Sequence, residues 1–173
     1  GERNARIKSL VDEYRSEVRK IARPLVQTCD QLLEQHPDKG FGIMGGGATG
    51  AYLVMHVLAR KLPKRGRHQR IKLLDISTKM LLGKRAYESY FEANNHPGSH
   101  FTFVPLESER DHKRETKIFG YTQSSGLLDH ENLVLLDLGF LGTVVHNLRR
   151  IIEERSIRHQ GKIEAFQFFS NPA

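Results

Sequence analysis

The chain has 173 residues, with 27 Lys and Arg against 20 Asp and Glu, nine His and one Cys. This length suits a single domain that buries about 70% of the surface its unfolded chain exposes, so neither a metal nor a disulfide is needed for stability. No apolar run approaches the ~20 residues that span a bilayer, and Cys29 has no second cysteine to pair with. We therefore expect a cytoplasmic protein with no membrane partner, whose seven excess positive charges favour anionic partners.

The first predicted element is a long helix over residues 3–36, where apolar residues recur at steps of three and four. Pro24 is expected to kink this helix or split it in two. The segment HPDKG should end it, with Gly40 suited to a C-terminal cap or turn. We assign residues 1–38 to an N-terminal helical extension and residues 39–173 to an α/β domain. The charged start predicts no signal peptide, and the absence of an initiator Met indicates an excised domain.

Strands and helices then alternate along the chain. The predicted elements are a strand at 41–44, a helix at 51–62, a strand at 71–77, a helix at 77–95 capped by Ser77, strands at 101–105 and 132–138, a helix at 144–155 and a strand at 162–169. The strands are apolar throughout, which is typical of a parallel sheet that is buried on both faces. The predicted fold is therefore α/β: a doubly wound, mostly parallel sheet flanked by helices, with an N-terminal helical extension.

The segment 106–131 is predicted to have no regular structure. It is polar, charged and rich in Gly and Ser. A structureless stretch of this length inside a compact domain is usually a lid or a binding loop. We expect it to cover a ligand at the edge of the sheet.

Two glycine-rich turns lie between a predicted strand and the helix that follows it. The first is Gly45-Gly46-Gly47-Ala48-Thr49-Gly50, and the second is Gly139-Phe140-Leu141-Gly142-Thr143. Glycine lets backbone N–H groups approach an anion, and the start of a helix adds partial positive charge. Either turn alone is equally well explained by turn geometry. Two of them in one small domain favour a ligand that carries phosphate groups at two places.

The first turn also resembles the dinucleotide-binding fingerprint of NAD and FAD proteins. Gly45, Gly47 and Gly50 match its G-x-G-x-x-G spacing, and Asp75 occupies the place of the acidic residue after the second strand. The distance from Gly45 to Asp75 is longer than usual. Asp75 could equally cap the next helix together with Ser77. A dinucleotide-binding Rossmann module is therefore the first alternative.

The order of elements from about residue 40 to residue 169 resembles the class I phosphoribosyltransferases, in particular the orotate branch. GGGATG is similar to their pyrophosphate-binding turn, residues 110–126 to their mobile hood, and NLVLLDLGFLGTVVHNL to the segment that holds the 5′-phosphate. The resemblance implies binding of phosphoribosyl pyrophosphate or a nucleotide and, in an active member, glycosyl transfer with Mg²⁺ as cofactor.

The resemblance also implies roles for individual residues. The 5′-phosphate would be held by Gly139, Phe140, Leu141, Gly142 and Thr143, and the pyrophosphate by the turn at Gly45, Gly46 and Gly47. Asp137 would act on the ribose, and Lys113, Arg114 or Lys117 would close over the ligand. The family begins this loop with two adjacent acidic residues, whereas Asp137 stands between two leucines. This departure leaves a catalytically degenerate, binding-only member open.

The remaining motifs are less specific. The histidines show no metal-ligand spacing, so no metal site formed by protein side chains is expected. The loop KLPKRGRHQR (61–70) is rich in basic residues and holds no acidic one, but it lacks the aromatic residues of a single-strand stacking platform. A basic interaction domain, with nucleic acid as partner and no enzymatic activity, is the third alternative. A homodimer is compatible with all three.

Overall fold

The computed structural model describes residues 1–83, 87–88, 92, 111–138 and 142–168. Within these residues four strands form one all-parallel sheet, in the order β2-β1-β3-β4. The strands are β1 Gly40–Met44, β2 Ile71–Leu74, β3 Leu133–Asp137 and β4 Ile163–Gln167. The helices are α1 Glu2–Gln35, α2 Thr49–Lys61, α3 Thr78–Leu82, α4 His112–Ser124 and α5 Thr143–Arg155. The predicted α/β fold with a parallel sheet flanked by helices and a long N-terminal helix is confirmed.

Successive side chains of each strand point to opposite faces of the sheet, and helices cover both faces. Phe41 and Ile43 of β1 pack with α1 and α2 on one face. Met44 and Leu135 pack with α4 and α5 on the other. This two-sided burial explains why the strands are apolar at almost every position.

Helix α1 differs from its prediction in two respects. It runs without interruption from Glu2 to Gln35, with Pro24 inside it, so the proline does not split the helix. His36 caps its C-terminus, and Gly40 instead begins β1, where it is buried. A Cβ at Gly40 would lie 2.9 Å from the Cβ of His130, so this glycine is required by close packing rather than by a turn.

The expectation of a structureless segment at 106–131 is wrong for the described part, residues 111–131. Asp111 caps α4 by accepting hydrogen bonds from the backbone N–H groups of Lys113 and Arg114. Ile118 and Thr122 form a narrow buried stripe on the helix. Most of the rest of α4 is polar, although Phe119 also packs against the core, so its sequence is easily taken for a loop. Residues 106–110 lie outside the described part.

Two further predictions concern the region before α4. Ser77 does cap α3, accepting a hydrogen bond from the N–H of Met80 at 3.3 Å. The predicted helix 77–95 is interrupted, because Gly83, at φ +76°, ends α3. The predicted strand 101–105 lies outside the described residues. None of the helices in the described ranges has the length and apolar character that crossing a bilayer requires.

Candidate functional site

The two glycine turns follow neighbouring strands. Strand β1 pairs in parallel with β3, with Ile43 opposite Leu136. From β1 the chain continues to β2, the neighbour of β1 on one side, and from β3 it continues to β4, the neighbour of β3 on the opposite side. Such a reversal of strand order opens a crevice at the carboxyl ends of the two strands, where open α/β sheets bind their ligands. The topology therefore brings the end of β1, which leads into Gly45, and the end of β3 at Asp137 to one edge of the sheet.

The second turn ends in a tightly enclosed glycine. Gly142 is the N-cap of α5 at φ +65°, a left-handed conformation that favours glycine. A Cβ there would lie 2.8 Å from His146 Cδ2 and 2.9 Å from Gln167 Cδ. Both the backbone angle and the space therefore require glycine at this position.

Two buried polar atoms near Gly142 are left without a partner. Among the described residues, neither Thr143 Oγ1 nor Gln167 Nε2 has a hydrogen-bond partner. Thr143 is only 5% exposed, and it is the first residue of a 13-residue helix that no described side chain caps. A buried donor without a partner costs about 1–3 kcal/mol, so such atoms commonly mark the place of a ligand or a water. The N-terminus of α5 therefore carries a hydroxyl, an amide N–H₂ group and helix N–H groups close together.

The first turn is more open. The Gly45 N–H group already donates to Leu74 O at 2.6 Å, so it is not free for a ligand. Gly46 has φ +75°, and no described atom would lie within 4 Å of a Cβ there. Gly47 faces Leu138, with 3.5 Å between the two Cβ positions. Gly46 and Gly47 are exposed, and Leu138 links this turn to the end of β3.

The two candidate carboxylates follow strands β2 and β3, which lie on either side of β1 in the sheet. Asp137 is the last residue of β3 and is half-buried. Asp75 follows β2, is exposed, and its Oδ1 would lie 3.3 Å from a Cβ on Gly45. Asp75 does not cap α3, because Ser77 does. Its backbone N–H donates to the hydroxyl of Tyr121 at 3.1 Å, which ties α4 to this edge.

The three predicted lid cations lie on α4. Lys113 and Lys117 are exposed, whereas Arg114 forms an ion pair with Asp111 and its guanidinium contacts Gly83. The helix itself is held in place by Glu115, a buried carboxylate that binds Arg150 at 2.8 Å and Arg155 at 3.1 Å. These cations are therefore carried by a helix packed against α5 and not by a free loop.

Two cations of the basic loop are used inside the protein. Arg65 binds Asp30 at 2.7 Å, and this hydrogen bond lowers the pKa of the Asp30 carboxyl. Arg70 is buried and donates to the carbonyl oxygens of His36 and Lys39, at 2.8 and 2.7 Å. Burial lowers the pKa of Arg70 to about 10. Both residues fasten the end of α1 to the segment before β2, so they are not available to a nucleic acid.

The structure leaves part of the predicted site undescribed and adds two residues to it. Gly139, Phe140 and Leu141 lie outside the described residues. Gln167 was missed because its role depends on the pairing of β4 with β3, which puts it opposite Asp137. Tyr121 was missed because its segment was interpreted as a loop. Two signals for α4 were available: the four-residue step from Ile118 to Thr122 and Asp111, a residue type that commonly caps helices.

The described residues contain no group of three or more His, Cys, Asp or Glu side chains that could hold a metal ion. Comparisons of the chain with protein-family models, with curated proteins and with solved structures give no match. The geometry of the carboxyl edge is therefore the basis for any functional assignment.

Proposed function

We propose that this chain binds a phosphorylated ribose, as phosphoribosyl pyrophosphate or a nucleotide, with the 5′-phosphate at the N-terminus of α5. One observation carries the proposal: Thr143 Oγ1 and Gln167 Nε2 are buried and, among the described residues, unpartnered, in the residue after Gly142 and in the side chain packed against Gly142. The resemblance to class I phosphoribosyltransferases points to the same turn. The two arguments are independent, because the first rests on hydrogen bonding and the second on sequence order.

A phosphate group suits these donors chemically. Its oxygens only accept hydrogen bonds, and the hydroxyl, the amide N–H₂ and the helix N–H groups can all donate. The partial positive charge at the start of α5 stabilises a dianion further. A neutral sugar offers no comparable match, because its hydroxyls are donors as well as acceptors.

The remaining parts of the ligand would then lie along the crevice. Asp137, at the end of the same strand, is an acceptor for a ribose hydroxyl. The open backbone at Gly46 and Gly47 is the place for a second phosphate, such as a pyrophosphate. Gly45 is left out of that role, because its N–H is bonded to Leu74 O.

The site fits a Mg²⁺ ion that enters with its ligand. Mg²⁺ keeps several waters and is often held by one or two carboxylates together with substrate phosphates. Asp137 is the carboxylate that would hold it, and the ion would neutralise charge on a departing pyrophosphate. In glycosyl transfer from phosphoribosyl pyrophosphate, the bond between C1′ and the pyrophosphate oxygen would break, a bond from C1′ to an acceptor nitrogen would form, and that nitrogen would release its proton to water. Pyrophosphate leaves with the bonding electron pair.

The dinucleotide alternative has weaker support. Asp75 does follow β2 and lie beside Gly45, which is compatible with the ribose-binding role of the fingerprint's acidic residue. The third glycine of that fingerprint allows the helix to pack closely on the strand. Gly50, however, faces open space, with no described atom within 4 Å of a Cβ. The chain therefore has the sequence of the fingerprint but lacks the close helix-strand packing that its third glycine normally allows.

The test is a titration of the native chain with ribose 5-phosphate, ribose, NAD, FAD, and phosphoribosyl pyrophosphate with Mg²⁺, followed by calorimetry. We expect ribose 5-phosphate and phosphoribosyl pyrophosphate to bind and ribose not to bind. Thr143→Val keeps the shape and removes the hydroxyl, so it should weaken phosphate binding about 10-fold or more.

The matched control is Thr122→Val. Thr122 is equally buried, but its hydroxyl is satisfied by Ile118 O at 2.9 Å and lies on α4. This variant should lose stability and keep full affinity for ribose 5-phosphate. Equal binding of ribose and ribose 5-phosphate, or an unchanged affinity in Thr143→Val, would contradict the proposal.

A further inference from the structure

The N-terminal part of α1 carries an apolar stripe that the described chain leaves uncovered. Tyr14 is 70% exposed and Ile21 is 76% exposed. The stripe consists of Ile7, Val11, Tyr14, Val18, Ile21 and Leu25, of which only Leu25 packs against the core. Large apolar side chains in such a contiguous arrangement mark an interaction surface.

The spacing of the stripe is that of a coiled coil. Its members are separated alternately by four and three residues over three heptads. A strict 3.5-residue period is the period of one helix packing along another and is narrower than the stripe of a helix that packs on a sheet. The spacing therefore fits another helix as the partner of this surface.

The stripe continues into the core of the protein itself. Cys29 Sγ lies 4.0 Å from Ala51 O in the first turn of α2, and Leu32 is buried beneath the same helix. Arg65, just after α2, binds Asp30 and Glu34. Thus α1 and α2 run in the same direction, and the turns of α1 before Leu25 extend beyond the start of α2. They continue for about 35 Å at 1.5 Å per residue.

We propose that two copies of this chain pair through residues 7–25 of α1 as an antiparallel coiled coil. In that arrangement Ile7 meets Leu25 of the second copy, Val11 meets Ile21, and Tyr14 meets Val18. The reciprocal contacts complete six layers, all apolar. The stripe is thus complementary to itself.

The size of the stripe is adequate for a dimer. Its exposed side chains, together with Leu10 beside them, present on the order of 700 Å² per copy, close to the ~800 Å² that each partner contributes to a standard interface. A parallel pair would bring each residue against its own counterpart. Leu32 is already covered by α2, and the two α/β bodies would collide at the end of the stripe. The antiparallel pair keeps the bodies at opposite ends.

The charges on α1 give a second copy of the chain and an anionic partner opposite salt dependences. Residues 2–23 contain seven Arg and Lys against four Asp and Glu. In the antiparallel register Glu17 faces Glu17 of the second copy, and Arg15 faces Arg15. Salt screens such like-charge contacts, so the dimer should tighten as ionic strength rises. Binding of the same helix to an anionic membrane or to nucleic acid would instead weaken as ionic strength rises.

Sedimentation velocity of the full chain over a concentration series, at low and high salt, tests the proposal. We expect a dimer whose Kd falls with salt. The double variant Tyr14→Glu/Val18→Glu should raise the Kd at least about 100-fold, because it puts charges in the two central layers. The control Ser9→Glu/Ser16→Glu adds the same charge on the opposite face and should stay within about twofold of the native chain.

Cysteine cross-linking tests the orientation. Native Cys29 is fully buried and does not interfere. A mixture of Val11→Cys and Ile21→Cys chains should form the mixed disulfide, whereas Val11→Cys alone should not cross-link. Cross-linking of Val11→Cys alone would establish a parallel pair and overturn the register.

Three other results would overturn the pairing itself. These are a monomer at every concentration, a dimer unaffected by the Tyr14→Glu/Val18→Glu change, and a monomer that binds phosphatidylglycerol vesicles or DNA with salt-weakened affinity.

Discussion

The two glycine turns have similar sequences and different physical reasons for their glycines. At the second turn, Gly142 is enclosed by Gln167 and His146, and two buried donors beside it are, within the described residues, unpartnered. At the first turn, Gly46 has the same sign of φ but open space around it. One turn is shaped by packing and carries donors, and the other offers accessible backbone. The glycine motif alone therefore does not indicate which of the two turns has buried donors that could hold a ligand.

If the proposed function holds, the two turns have different tasks at the two ends of the ligand. The enclosed donors at α5 suit a terminal phosphate whose oxygens each find a fixed partner. The open backbone at Gly46 suits a group that enters and leaves, such as a pyrophosphate. Substitutions at Gly142 should therefore affect mainly stability, and substitutions at Gly46 should affect mainly the binding of the second phosphate group.

Substitution of Gly142 should have the largest effect. Gly142→Ala forces an alanine into a left-handed conformation and against Gln167, so we expect a loss of about 3 kcal/mol in the free energy of unfolding. Affinity for ribose 5-phosphate should fall as well, because Gln167 must move. From the sequence alone, Gly142→Val is expected to abolish anion binding at little cost in helix stability. The side chains packed against Gly142 contradict the second half of that expectation, because any added side chain meets Gln167 and His146.

Urea denaturation with Gly120→Ala as the reference measures this effect. Gly120 lies inside α4 with no described atom near its Cβ position, so alanine there should stabilise the protein by about 1 kcal/mol. Equal stabilities of the two variants would show that Gly142 is not enclosed in solution.

Gly46→Ala should have a smaller effect on stability. Its φ of +75° costs about 1 kcal/mol for alanine, with no steric term because the space is open. The added methyl group would reach toward the crevice, so we expect binding of phosphoribosyl pyrophosphate to weaken more than binding of ribose 5-phosphate.

Gly161 provides a control that matches Gly46 in conformation. It has φ +69°, and no described atom lies within 4 Å of its Cβ position, but it precedes β4 at the opposite edge of the sheet. Gly161→Ala should lose similar stability and leave both affinities unchanged. If both variants bind both ligands alike, the first turn has no part in the site.

Much of the fold was predictable because burial controls the sequence pattern. Strands β1 and β3 are covered on both faces, so their apolar runs predict them within one residue. Helix α4 was not predictable in the same way. Its stability comes from the Asp111 cap and from the ion pairs of Glu115 with Arg150 and Arg155, which are distant in sequence.

The candidate site was predictable at the level of its turns and not at the level of its donors. Thr143 belongs to a recognisable strand-turn-helix sequence. Gln167 joins it through the register of β4 against β3, which no local pattern encodes. In the same way, the periodicity of α1 predicts one amphipathic helix, but it does not indicate that only the part from Leu25 onward is covered.

Gly50→Ala sharpens the distinction between the phosphoribosyl and dinucleotide interpretations. Gly50 is in the first turn of α2 with open space at its Cβ position, so alanine should raise stability by about 0.5 kcal/mol. Ligand binding should be unchanged. A glycine needed for close helix-strand packing would instead give a destabilised variant with weaker NAD or FAD binding, as thermal unfolding and calorimetry would detect.

The smallest effect is expected at the start of α4, the helix whose N-terminus is capped by a carboxylate. Hydrogen bonds from the backbone of Arg114 and Lys113, and the charge of Arg114, lower the pKa of Asp111 below its usual value of 3.8. The stabilisation from this carboxylate is therefore fully present above pH 3.8 and is lost as the pH falls through its lowered pKa. Asp111→Asn keeps a capping side chain without the charge, so native and variant stabilities should converge as the pH falls from 3.8 through the lowered pKa of Asp111. Because this N-terminus is already occupied, the variant should bind ribose 5-phosphate like the native chain. A difference in unfolding free energy that persists at low pH, or a change in affinity, would contradict the contrast between the capped start of α4 and the uncapped start of α5.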